Sequence, residues 1–245
     1  MLLIIHMTDF LKNSSLDDSE SEIIRKQIID LTKNYYQKTH SPKKFISGKT
    51  VVPVSGKVFD ETEIQLLISS SLDFWLTSDR FNKEFEKNLS SFLNSSFVLT
   101  TNSGSSANLL AISALKSKEL GQRSLNDGDE VITVAAGFPT TVNPLIQNNL
   151  VPVFIDVKLG TYAIDETKIE NAITKKTKAI MLAHTLGNTF NVNYVKELCK
   201  KYNLWLIEDC CDALGTTYEN KHVGSFGDIG TLSFFPAHHI TMGEG

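Results

Sequence analysis

With 41% hydrophobic and 21% charged side chains over 245 residues, the chain carries enough apolar material for a sizeable core, which excludes a disordered polymer. A formal net charge of −4 and an isoelectric point near 5.9 leave no basic footprint, which excludes nucleic acid as the natural partner. The opening MLLIIHMTDF has no basic start and no small-residue cleavage site, no later run reaches membrane-spanning length, and Cys199, Cys210 and Cys211 cannot all pair. The expectation is a reduced, cytoplasmic protein that does not engage a membrane.

In chain order, residues 20–36 (ESEIIRKQIIDLTKNYY) place Ile23, Ile24, Ile28, Leu31 and Tyr35 at helical spacing. They predict the helix of an N-terminal arm over residues 1–49, followed by the polar, proline-containing link THSPKK. DETEIQLLISSSL and RFNKEFEKNLSSFL predict two more amphipathic helices, the second with Phe81, Phe85 and Leu89 on one face. From residue 96 short apolar runs alternate with helices. The predicted strands are SFVLT, EVITVA, VPVFIDV, KAIMLAH, NLWLIED and IGTLSFF; the helices between them are SSANLLAISALKS, TTVNPLIQNN, DETKIENAI and NVNYVKELCKKY. Strands apolar on both faces and separated by helices predict an α/β domain over residues 50–245, a mostly parallel sheet with helices on both faces. The closing GEG is a turn signal that leads into no further element, and is expected to mark a truncation.

Ligands of such sheets sit beyond the carboxyl ends of the strands. Four clusters fall there: TNSGSSAN, AAGFPTT, EDCCDALG and SFFPAHHITMGEG. In the first, Gly104 allows a tight turn and Ser105 and Ser106 stand at a helix N-terminus, a place for a phosphate; equally, Ser103 or Ser105 serves as a helix cap. In the second, Phe138 between Gly137 and Pro139 either covers a flat ligand or packs back as a staple. In the third, Glu208, Asp209 and Asp212 stand among two cysteines. A carboxylate at a buried strand end needs a cationic or donor partner, which a protonated heterocyclic nitrogen or a structural salt bridge provides. In the fourth, His238 and His239 follow Ser233, the expected strand end, and diverge, so one of them faces the cleft. Zinc is disfavoured, because neither the Cys210–Cys211 pair nor the His238–His239 pair has the spacing that lets neighbouring ligands converge.

The four clusters, in this order, resemble the DegT/DnrJ/EryC1/StrS sugar aminotransferases of the fold-type-I pyridoxal-phosphate class. GKTVVPVSGKVFDETEIQLLISSSLDFWLTSDRFNKEFE, EDCCDALG and SFFPAHHITMGEG look like the CDP-4-keto-6-deoxy-D-glucose-3-dehydrase branch. The resemblance implies the large domain of that fold, with its small C-terminal domain beyond Gly245, and a homodimer. Aminotransferases of the family read S-F-x-x-x-K-x-x-x-x-G-E-G, and their lysine anchors the cofactor; here His238 stands at that place. An imidazole forms no stable Schiff base, but it can take and return a proton near neutral pH. The resemblance therefore implies pyridoxamine phosphate as the cofactor, His238 as the base for its C4′ proton, and dehydration at C3 of a nucleotide-linked 4-keto-6-deoxyhexose in dideoxysugar and O-antigen synthesis. His239 is left to orient the loop or to pack.

Carried over residue by residue, Gly104, Ser105, Ser106 and Ser233 resemble the phosphate cup, Phe138 the ring-stacking aromatic, Asp209 the partner of the pyridine N1–H, and Asp212 the group near the ring hydroxyl. The resemblance also implies a [2Fe-2S] cluster with Cys211 as its first ligand, reduced by an NADH-dependent iron-sulfur flavoprotein reductase. One departure stands in the substrate loop, where relatives read T-T-G-R and this chain has Thr77-Ser78-Asp79-Arg80. Two rival readings are a cluster-free GDP-4-keto-6-deoxymannose-3-dehydratase and a non-catalytic partner-binding remnant.

Overall fold

A computed structural model describes residues 20–52 and 58–242. The opening MLLIIHMTDF and the closing GEG lie outside the described residues. The chain divides into two compact units between Phe81 and Asn82. This boundary lies beyond the expected one at residue 49, so the helix of DETEIQLLISSSL groups with the N-terminal unit.

In the first unit, helix α1 (Glu20–Thr39) buries Ile29 and Tyr36 and leaves Ile23, Ile24, Leu31 and Tyr35 exposed. Helix α2 (Glu61–Asp73) begins with a capping box: Asp60 Oδ1 accepts from Thr62 N at 2.7 Å and Glu63 Oε2 from Asp60 N at 2.8 Å. It ends at Phe74, which adopts a left-handed φ of 48°. The two helices are joined by polar contacts: buried Gln65 donates to the Ile29 carbonyl at 3.1 Å, and Arg25 reaches both Ser69 and Asp73. Arg80 completes the arrangement at 2.7 Å from Asp73. Asp79, the departure in the substrate loop, is exposed just before helix α3 (Arg80–Leu93).

In the second unit, Phe85, Leu89 and Leu93 of α3 pack with Phe234, the two phenylalanine rings meeting edge to face at 5.1 Å. Helix α4 (Gly104–Leu115), strand β1 (Glu130–Val134), helix α5 (Pro139–Gln147) and strand β2 (Val151–Ile155) follow. Next come the short helix α6 (Ile169–Ala172), strand β3 (Thr177–Ala183), helix α7 (Val192–Tyr202) and strand β4 (Trp205–Asp209). A two-stranded hairpin, β5 (Thr217–Tyr218) with β6 (Lys221–His222), precedes strand β7 (Ile229–Thr231). The main sheet runs β2-β1-β3-β4-β7 and every pairing in it is parallel.

Alternation along the strands sorts the core into two layers. Ile132, Val134, Ile180, Leu182 and Leu206 face α6 and α7, meeting Ile169, Val195 and Leu198. Val131, Ala179, Met181 and Ile207 face α4 and α5, meeting Ile112, Leu115 and Leu145. The α/β class with helices on both faces is thus observed. One expected strand is not: residues 97–100 join no ladder, because no strand lies beside them among the described residues, and Phe97 and Leu99 are exposed. Thr100 ties this segment to α3 instead, through Glu86 at 2.9 Å and Asn82 at 2.7 Å.

Strand β7 lies against the turn that precedes it so closely that a Cβ on Gly230 would overlap the Gly224 carbonyl oxygen. Backbone on both sides leaves no flexible side chain to yield. Gly230→Ala is therefore expected to destabilise the fold by about 1–3 kcal/mol, read as a lower urea midpoint with an unchanged slope.

Candidate active site

Because all strands of the main sheet are parallel, β1, β3, β4 and β7 end on one side, and the loops after β1, β4 and β7, with the first turn of α4, carry the candidate residues. Asp209, the last residue of β4, points to the α4/α5 face, as Ile207 does. It is 5% exposed. Its Oδ2 accepts from Asn108 Nδ2 and Thr141 Oγ1, both at 2.8 Å, and its Oδ1 accepts from Cys211 N at 3.1 Å. Asn108 is itself held by Thr231 Oγ1, which donates to its side-chain oxygen at 2.6 Å. A carboxylate offers about four acceptor positions; three are filled from α4, α5 and its own turn, and the Cys211 thiol also engages this carboxylate.

The N-terminus of α4 is capped by Ser103, whose Oγ accepts from Ser106 N at 3.1 Å and lies 3.1 Å from Ser106 Oγ. Of the two hydroxyls expected at a phosphate, Ser106 is thus tied to the cap and Ser105 stands exposed. Gly104 is pressed against the loop after β7: a Cβ there would overlap that of Ser233 and lie 2.9 Å from Ser233 Oγ and 3.1 Å from Cys211 Sγ. The first turn of a twelve-residue helix and two hydroxyl-bearing residues therefore meet around unpaired backbone N–H groups, an arrangement suited to an anion. Ser233 lies beyond Thr231, where β7 ends, and so does not itself end the strand.

Phe138 is the N-cap residue of α5, with Pro139 next to it, and its ring is 70% exposed. It does not pack back as a staple. His238 is half-buried, with Nδ1 3.4 Å from Asp212 Oδ1, while His239 is exposed. The structure thus brings His238 and Asp212 together, a pairing that sequence reasoning had not made. The two cysteines diverge: Cys210 is fully buried, and Cys211 lies half-buried beside Gly104. Burial, reinforced by the Asp209 charge, pushes the Cys211 thiol far up.

Glu208 points to the opposite face of the sheet and is fully buried. His184 Nε2 and Gly224 N lie 3.0 Å from its Oε2, and Phe226 N and Gly227 N donate to Oε1 at 2.7 Å. His184, also fully buried, stacks on Phe190 at 4.5 Å, and its backbone N donates to the Asp209 carbonyl at 3.0 Å. Burial works to raise the Glu208 carboxyl, but the His184 hydrogen bond, the backbone donors and the His184 charge outweigh it and hold the group below its ordinary 4.5. His184, Glu208 and Cys210 bring ligand atoms within 4.8 Å of one another, yet the oxygens of Glu208 are already taken by four donors. This triad is a brace for the turn before β7. Sequence reasoning missed Asn108, Thr141, Thr231 and His184; the signal for Asn108 was a lone amide inside the apolar helix SSANLLAI.

The sequence profile of the DegT/DnrJ/EryC1/StrS aminotransferase family matches residues 58–245. The lipopolysaccharide biosynthesis protein RfbH of Salmonella typhimurium is 64% identical over 222 residues, which are 91% of this chain and 51% of that protein. The dTDP-4-dehydro-2,6-dideoxy-D-glucose 3-dehydratase of Saccharopolyspora spinosa is 47% identical over 219 residues, 89% of this chain and 47% of that enzyme. Among solved structures, E. coli GDP-4-keto-6-deoxy-D-mannose-3-dehydratase with bound hydrated PLP superposes with a TM-score of 0.72 at 35% identity. The match covers 77% of this chain and 48% of that one. The chain spans about half the length of the curated relatives it matches.

The folded Glu208 carboxyl lies below its unfolded value, so its stabilising contribution is complete above about pH 4.5 and is lost as the pH falls through the folded value. Glu208→Gln is expected to remove that part of the acid transition. At neutral pH it should cost roughly 3 kcal/mol, because the amide opposes donors that now meet a carboxylate. Urea denaturation from pH 3 to pH 7 checks both; an unchanged slope of stability against pH in the variant would contradict the assignment.

Proposed function

We propose a function from the premise that this chain belongs to the DegT/DnrJ/EryC1/StrS aminotransferase family: pyridoxamine-phosphate-dependent dehydration at C3 of a nucleotide-linked 4-keto-6-deoxyhexose, with CDP as the nucleotide. The place of the reaction is dideoxysugar and lipopolysaccharide synthesis, supported by the 64% identical relative of that name. The working form is taken to be a cytoplasmic homodimer. The observation that carries the reading is His238, at the family's lysine position and 3.4 Å from Asp212, on the same sheet edge as a buried Asp209.

The residues fit the cofactor. The close approach of Gly104 to Ser233 forms a cradle that a Cβ would fill, Phe138 offers an uncovered ring, and Asp209 offers a buried carboxylate. When bound, pyridoxamine phosphate supplies a primary amine for the sugar ketone and a ring that accepts developing negative charge. Gly104, Ser105, Ser106 and Ser233 hold the phosphate at the start of α4. Phe138 covers the ring. Asp209, fixed by Asn108 and Thr141, accepts the ring N1–H and keeps it protonated. Asp212 engages Nδ1 of His238 and leaves Nε2 to take the C4′ proton; the imidazolium can then give that proton to the departing C3 hydroxyl, which leaves as water.

The [2Fe-2S] cluster and its flavoprotein reductase, implied with Cys211 as first ligand, stay part of this reading as expectations; Cys211 lies half-buried beside Gly104, while its neighbour Cys210 is fully buried. The reading carries no step through a cluster or a reductase.

Two outcomes are expected. Borohydride treatment in the presence of pyridoxal phosphate should leave no cofactor adduct in the cleft of the wild type, and His238→Lys should acquire one; mass spectrometry distinguishes them, and a wild-type adduct at the cleft defeats the reading. His238→Asn should slow release of the C4′ hydrogen of pyridoxamine phosphate by about 10²–10⁴-fold, the usual contribution of a general base. His239→Asn should retain most of that rate. Equal losses in two folded variants would reject the division of roles.

A further inference from the structure

We propose that Asn108, its amide oriented by Thr231, is a positioning residue of the cofactor site: it sets where the Asp209 carboxylate stands relative to the start of α5, where Phe138 lies, and to the end of β7, which leads to Ser233. The inference rests on the cofactor reading above. Asn108 acts through Asp209 and not on the cofactor itself.

Asn108 lies on α4 one turn after Gly104 and is fully buried. A buried side-chain amide is satisfied only where donors and acceptors surround it in the right order. Here its Nδ2 donates to Asp209 Oδ2 at 2.8 Å and to the Thr140 carbonyl at 3.2 Å, while its Oδ1 accepts from Thr231 Oγ1 at 2.6 Å. Turned over, the amide would set its oxygen against a carboxylate and a carbonyl, acceptors facing an acceptor in a buried place. One orientation is therefore allowed, and the Thr231 hydroxyl holds it.

Each partner of the amide belongs to a different part of the site. Asp209 ends β4, Thr140 lies in the first turn of α5 two residues after the N-cap Phe138, and Thr231 ends β7 two residues before Ser233. Thr141, next to Thr140, donates to the same Asp209 oxygen at 2.8 Å. The other oxygen is held by the turn after β4, where Cys211 N donates to Oδ1 at 3.1 Å, and the Cys211 thiol engages the carboxylate as well. Removal of Asn108 leaves those holds in place but cuts the link to β7. Asp209 then keeps its depth and loses its direction, on which a hydrogen bond from the ring N1–H depends.

The ring itself supplies the readout, because a residue that served the fold alone would change stability and leave a bound ring as it is. Pyridoxamine phosphate isotopically labelled at the pyridine nitrogen reports by NMR whether N1 holds a proton, and fluorescence titration gives its affinity. At mildly alkaline pH the wild type should hold the proton. Asn108→Ala should weaken binding by about 10- to 100-fold, the scale of a lost hydrogen bond to a charged group, and shift the nitrogen signal toward the unprotonated ring. Thr231→Val keeps the shape and removes the hydroxyl; it should weaken binding by about three- to tenfold with a smaller shift in the same direction. Thr231→Ser keeps the hydroxyl and should stay within about threefold of wild type. Asn108→Ala combined with Thr231→Val should bind no worse than Asn108→Ala alone, because the hydroxyl acts only through the amide.

Circular dichroism and urea denaturation establish which variants are folded. Should Asn108→Ala fail to fold, the comparison of Thr231→Val with Thr231→Ser decides. An unshifted ring signal in folded Asn108→Ala, whatever its loss of stability, overturns the inference. So do equal losses in Thr231→Val and Thr231→Ser, and so does a double variant whose losses add. Asp209→Asn separates the inference from the reading beneath it. A wild type that does not bind pyridoxamine phosphate, or a ring signal that Asp209→Asn leaves unchanged, defeats the cofactor reading instead, and the role of Asn108 falls with it.

Discussion

Two carboxylates close strand β4, and because successive side chains alternate across a sheet they serve opposite faces. Glu208 is sunk under the turn of residues 224–227 and held by three backbone N–H groups and His184; Asp209 is sunk under α4 and α5 and held by Asn108, Thr141 and its own turn. A buried charge left unpaired costs several kcal/mol, so each carboxylate compels its surroundings to present donors. That compulsion fixes the relative placement of the pieces that matter. Glu208 seats the turn from which β7 starts, and Asp209 seats the helix whose first turn faces Ser233. The His184 backbone N, donating to the Asp209 carbonyl, joins the two halves.

The consequence reaches the candidate chemistry. A residue that anchors a cofactor covalently tolerates some looseness in the rest of a site, because the bond itself localises the ring. His238 provides no such bond, so binding and orientation fall to groups that must be placed in advance. The side chain of Asn108 illustrates this: it donates to Asp209 and accepts from Thr231, so α4, β4 and β7 are locked by one amide. A carboxylate held by donors from α4, α5 and its own turn has little freedom to reorient.

The large features were legible in the sequence for identifiable reasons. Strands apolar on both faces, such as KAIMLAH and NLWLI, can be satisfied only between two helical layers, and the core divides in that way. The capped helices α2 and α4 begin at Asp60 and Ser103, residue types whose side chains accept from the first turn. SFVLT has the composition of a strand but no partner beside it among the described residues, and ladder pairing is not a property of one segment. Phe138, Asp209 and His238 stand out in the sequence because they break an apolar pattern, although only Phe138 is exposed and Asp209 is buried. The supporting members of the site do not: Thr141, Thr231 and His184 look like ordinary loop and strand-end residues until long-range contacts pair them.

The adjacent histidines show how the same side chain is divided between structure and chemistry. The Phe235 carbonyl accepts from His238 N at 2.9 Å, closing a tight turn directly after Ser233. Phe234, one residue earlier, is anchored against Phe85 in the α3 layer. The turn is therefore hung from the core on one side and bound back on itself on the other. Within it, His238 falls half-buried beside Asp212, and the next residue, turned away by the backbone, is exposed. A proposed base must hold its orientation, and Asp212, 3.4 Å from His238 Nδ1, leaves the second ring nitrogen open. Asp212 comes from the same β4 turn that presents Asp209. The proposed base and the proposed ring partner are in this way referred to one strand end, and any change that shifts the end of β4 moves both together.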